Sequence, residues 1–75
     1  MKIKQAKQLQ PGDLVQRTEM LNGEPHKTAA IVTAVSVGVG VAVSARNAFS
    51  GAKANWIQMR HDYEYAVLDH LDEVA

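Results

Sequence analysis

The sequence has no cysteine. That excludes disulfides, thiol chemistry and thiolate zinc sites, and it suits a reducing compartment. Aromatic residues are scarce, with one Trp, one Phe and two Tyr, so aliphatic side chains must supply most of any core. Two prolines and five glycines in 75 residues are too few for a low-complexity or collagen-like chain. The formal charge is zero, which disfavours non-specific binding to polyanions as a bulk property. The charges are nevertheless segregated. Met1 to Arg60 hold all eight basic residues against three acids, a net of +5, whereas His61 to Ala75 hold five acids and no Lys or Arg. This pattern suits either an acidic tail packed on its own domain or an anion-binding body whose tail competes for the same surface.

A chain this short makes one domain and buries only about 60% of the surface its unfolded form exposes. With no disulfide to staple it, self-association is the expected support. The only long uncharged run, Thr28 to Ala45, is at the lower limit for a membrane helix. Its valines fall on every odd position from Val35 to Val43, a strand period, and no Trp or Tyr flanks its amino side. No membrane span is expected. Nor does an apolar stretch with a cleavage site follow the basic Met1–Gln10 segment.

Turn chemistry divides the chain. Gln10-Pro11-Gly12-Asp13 fits a type II turn, with proline presetting φ and glycine supplying positive φ. Leu14 to Leu21 reads as a strand. Asn22-Gly23 then predicts a type I′ hairpin, with the returning strand from about His26. The extended run that follows is too long for one flat strand, so Gly38 and Gly40 should mark its bend or reversal. Val35, Val37, Val39, Val41 and Val43 should face the core. The opposite face, from Ser36 to Ser44, is made of tiny residues and admits close approach of another backbone or a second subunit. Residues 46–55 read as a loop and 54–60 as another strand. Tyr63 to Leu68 fits a last strand, or a helix start from the i, i+4 spacing of Tyr63, Val67 and Leu71. A short strand entering a helical turn from about Ala66 is favoured.

About five short, tightly linked strands suggest a small closed or nearly closed barrel. Leu9 to Val15 (Leu-Gln-Pro-Gly-Asp-Leu-Val), Ala29-Ala30-Ile31-Val32, Val39 to Val43 and Asn55-Trp56-Ile57 together resemble the SH3-like small β-barrel proteins, of the kind common in bacteriophage genomes. The resemblance implies an all-β, SH3-like small barrel of about five short strands with a short helical C-terminal turn. Residues 1–10 would be a lead-in, 11–68 the barrel and 69–75 an acidic tail. It implies no shared activity and a cytoplasmic location, in the host cytoplasm if phage-encoded.

No catalytic constellation is present. His26, His61 and His70 are not at a metal spacing and read as solvated. Ser36 and Ser44 have no neighbouring base, and Gly38-Val39-Gly40 lacks the third glycine and helix of a phosphate fingerprint. No metal, cofactor or enzyme activity is expected. The candidate binding residues are Arg46, Asn47, Phe49, Ser50, Lys53 and Asn55, whose cations, amides and aromatic ring suit phosphates and bases. Trp56, Tyr63 and Tyr65 join them as the potential lining of a peptide groove. The expected function is a non-catalytic interaction module that binds a protein partner or self-associates as a homo-oligomer. The alternative is nucleic-acid or nucleotide binding through the basic 46–55 loop.

Overall fold

The computed structural model of the chain describes residues 2–71, and these form one antiparallel sheet of six strands. The strands are β1 (Lys2–Gln5), β2 (Asp13–Leu21), β3 (Glu24–Val37), β4 (Val41–Asn47), β5 (Lys53–Gln58) and β6 (Glu64–His70). Their order across the sheet is β1-β6-β2-β3-β4-β5. A single 3-10 turn, Ala6–Gln8, follows β1. The basic lead-in is thus both extended and helical in part, and its strand belongs to the sheet through Lys2↔Val67 and Gln5↔Glu64.

The turns obey the sequence. Gly12 has φ 98°, and the Asp13 amide donates to the Gln10 carbonyl at 3.1 Å. Asn22 and Gly23 have φ 53° and 78°, the two positive values that a type I′ hairpin needs. The reversal at Gly38-Val39-Gly40 splits the long apolar run into β3 and β4, paired as Val35↔Val43 and Val37↔Val41.

Three expectations need correction. First, there are six strands rather than about five. Second, β6 stays extended to His70, so no helical turn starts at Ala66. Val67 is paired with Lys2 on one side and Val15 on the other, and a strand held by ladders on both edges has no freedom to coil. Residues 72–75 of the acidic tail lie outside the described residues. Third, Val37 and Val39 are exposed. They sit at the reversal that ends the β3–β4 ladder, beyond the buried Val41 and Val43.

The core is aliphatic, with Val15, Val32, Val41 and Val43 almost completely buried. Each such side chain contributes about 1.5–3 kcal/mol of burial free energy. The sheet curls: Trp56 of β5 stacks on Tyr65 of β6, ring centroids 6.0 Å apart, although three strands separate β5 from β6 in the sheet. Register shifts at Leu14/Val15 and between Val32 and Ala34 supply the local bends that such curvature needs. Among the described residues no ladder joins β5 to β1, so the sheet is open.

Candidate functional site

The basic segment is more ordered than a loop. Arg46 and Asn47 end β4, Lys53 to Asn55 begin β5, and only residues 48–52 form the connection. Asn47 fixes that connection. Its Oδ1 accepts the amides of Phe49 and Ser50 at 2.8 and 2.9 Å, as Asx turns do. Its own amide donates to Ala52 and its carbonyl accepts from Gly51. Ser50 Oγ accepts the Ala52 amide at 3.3 Å. Asn47 and Ser50 are therefore spent on building the tip. Phe49 is 86% exposed on it.

Arg46 is paired in register with Lys53, and Ser44 with Asn55. With Thr33 and Gly51 they line a shallow outer groove of about 510 Å³. Thr33 Oγ1 donates to the Ser44 carbonyl, and Ser44 Oγ donates to Asn55 Oδ1, both at 3.0 Å. The amide N–H groups of Asn55 are left to donate. Among the described residues no Asp or Glu lines the groove.

The late aromatics do not join this surface. Trp56 and Tyr65 are core residues, and Tyr63 lies half-exposed against Tyr65 at 5.0 Å. The Arg17 guanidinium covers the Trp56 ring at 4.4 Å, a cation–π contact that nothing in the local sequence signals. Burial pushes the Tyr65 phenol up, against the opposing pull of the Gln58 side chain and of Arg17. The hydroxyl is buried, and although Gln58 borders the same cleft, no group among the described residues meets it in hydrogen-bonding geometry. Tyr63, Tyr65, Arg17 and Gln58 border one small polar cleft.

A second set of groups gathers at the opposite side of the sheet. Asp13 is fully buried. Its carboxylate accepts from Lys4 Nζ at 3.1 Å, from the Gln10 amide at 2.9 Å, and meets His70 Nδ1 at 2.7 Å. Burial alone would raise its pKa, but the Gln10 amide, His70 and Lys4 outweigh burial and hold the carboxyl below its ordinary value. Among the described residues no hydroxyl hydrogen-bonds to the His70 imidazole. His70 is thus partnered rather than merely solvated. So is His61, whose Nε2 lies 2.9 Å from the Gly38 carbonyl. No group of three or more His, Asp or Glu among the described residues is arranged to hold a metal ion. No helix among them is long and apolar enough to cross a membrane.

Apolar side chains collect at the far end of β4 and β5 from Phe49. Val39, Ile57 and Met59 are 89%, 73% and 71% exposed. Gly40 approaches the Gln58 carbonyl so closely that a β-carbon would not fit, which places the Val39 turn beside the Ile57–Met59 segment. Ala42, the register partner of Ile57, adds a small exposed neighbour. Compared with family models, with curated proteins and with solved structures, the chain matches none.

Proposed function

We propose that the chain is a non-catalytic interaction module whose primary partner is a second copy of itself, docked through the apolar end of the β4–β5 layer. The observation that carries this reading is the adjacency of Val39, Ile57 and Met59, each more than two-thirds exposed. Clustered exposed apolar side chains are costly in a free monomer and are a mark of interaction surfaces. Charge favours a self-partner. Arg60, beside Met59, is paired with Asp62 at 3.0 Å, so two copies meet there without like-charge repulsion. A two-fold axis at this end also keeps the Arg46 and Lys53 ends apart. Among the described residues β5 is an outermost strand with no ladder on its outer side, an edge suited to pairing. The SH3-like reading and the phage or mobile-element origin belong to the same proposal. The Pro-Gly-Asp opening, the curled sheet and the Trp-bearing β5 support the first. A cytoplasmic location accompanies them.

Sedimentation velocity across micromolar concentrations tests the proposal. A dimer is expected, and Ile57→Glu, at an exposed position, should return it to monomer with the fold kept. A wild-type chain that stays monomeric at every concentration would remove the self-partner.

A second reading, nucleic-acid or nucleotide binding at the other end of the same layer, is favoured by the acid-free groove between Arg46 and Lys53.

A further inference from the structure

We propose that the β4–β5 hairpin end is a binding site for single-stranded nucleic acid, in which Phe49 stacks on a base while Arg46, Lys53 and Asn55 hold the adjoining phosphates. The proposal rests on the nucleic-acid reading and narrows it to one kind of ligand. Three observations carry it.

The first is the distribution of charge over the sheet. Residues 25–61 carry Lys27, Arg46, Lys53 and Arg60 and not one acid. They supply nearly all of β3 together with β4 and β5, which are neighbours in the sheet. The remaining segments hold all eight acids. The register makes the division spatial. In the row running from Lys53 through Arg46, Ile31 and Leu14 to Asp69, the first acid lies on β6. A polyanion laid along the β4–β5 side meets strands that carry positive charge and no acid of their own, and this complementarity names the class of ligand.

The second is the exposed aromatic on a fixed support. Phe49 gains little from its own fold, being 86% exposed. Its loop is nevertheless locked by the Asn47 and Ser50 hydrogen bonds, and the Ala48 amide is tied to the Ala29 carbonyl of β3 at 2.9 Å. A ring carried on a backbone fixed in this way has only its own two side-chain torsions to lose when a ligand binds. Base stacking on such rings is tolerant of sequence, and it needs a base that is not already stacked inside a duplex.

The third is the donor character of the groove beside it. The Asn55 amide N–H groups and the Lys53 ammonium donate, and the Arg46 guanidinium adds positive charge beside them, matching phosphate oxygens.

The test is fluorescence anisotropy with labelled oligo-dT and oligo-U of about 12 nucleotides, within the usual site size of one small single-strand-binding domain, and with a duplex of equal length as competitor. Wild-type chain should bind a single strand and prefer it to the duplex. The two strands distinguish DNA from RNA as the source of the ligand. Two neutralised phosphates predict a log–log salt slope of about −1.4. Lys53→Gln should reduce that slope by about 0.7. Phe49→Ala should weaken binding at least about fivefold with the slope unchanged, as loss of one stacked base does. Both substituted side chains are exposed, and an unchanged melting temperature certifies each variant. Single-strand binding that ignores Phe49→Ala, or equal affinity for the duplex, overturns the stacking site while leaving phosphate binding in place. No binding to any of the three overturns the nucleic-acid reading as well.

Discussion

The carboxylate of Asp13 and the imidazole of His70 meet at 2.7 Å, joining the first residue of β2 to the last residue of β6. Lys4 of β1 completes the cluster, so one buried acid ties three strands together. The Asp13 pKa lies below its ordinary value of 3.8. Its contribution to stability is therefore fully present above that value and is lost as pH falls through the lower folded-state value. Asp13→Asn should destabilise the domain by about 3 kcal/mol at neutral pH, because it removes the buried negative charge that Lys4 and His70 share and turns one accepting oxygen into an amide that only donates. Its unfolding free energy should also fall less steeply than that of wild type below pH about 4. Urea unfolding of both chains across that range measures this. His70→Ala should cost less, since Lys4 and Gln10 still satisfy the carboxylate.

Gly12 and Gly23 both have positive φ but differ in surroundings. Nothing lies within 4 Å of a β-carbon built on Gly23, whereas one built on Gly12 strikes the Leu71 carbonyl. Gly23→Ala should then cost only backbone strain, about 1 kcal/mol. Gly12→Ala should cost at least about 2 kcal/mol, because the backbone that follows β6 must also move. Equal melting temperatures for the two variants would contradict this ordering.

Trp56 and Arg17 predict a contrast between core and cover. Trp56→Ala should cost about 3–5 kcal/mol, as for a large core aromatic. Arg17→Ala should cost about 0.5–1 kcal/mol, the value of a partly exposed cation–π contact. Thermal denaturation separates the two by many degrees. A large loss for Arg17→Ala would mean that the guanidinium is an essential lid on the Trp56–Tyr65 stack.

Much of this fold is legible from local chemistry, and what is not legible is long-range. Pro11-Gly12 and Asn22-Gly23 announce their turns because positive φ is a local demand. Gly38 and Gly40 announce the reversal within the valine run. The alternation there predicts core throughout, yet Val37 and Val39 lie outside, since period alone does not tell where the opposing layer stops. Tyr63, Val67 and Leu71 fit a helical spacing as well as a strand. Tertiary pairing to β1 and β2 decided between them. Within the candidate site, Arg46, Phe49, Lys53 and Asn55 were found from composition, and the structure brings Arg46, Lys53 and Asn55 to one groove beside the Phe49 tip. Asn47 and Ser50 belong to the turn itself, and Trp56 and Tyr65 to the core. Asp13 reads locally as an ordinary turn residue, because its side-chain partners stand 9 and 57 positions away. Arg17 had no local mark at all.

The most direct test of the proposed interaction module is a dilution series followed by amide NMR. Self-association through the apolar end predicts that concentration-dependent shifts cluster at Val39, Ala42, Ile57 and Met59, spare Asp13 and His70, and vanish in Ile57→Glu. Shifts that are absent, or that gather on β1 and β6 instead, would contradict the account.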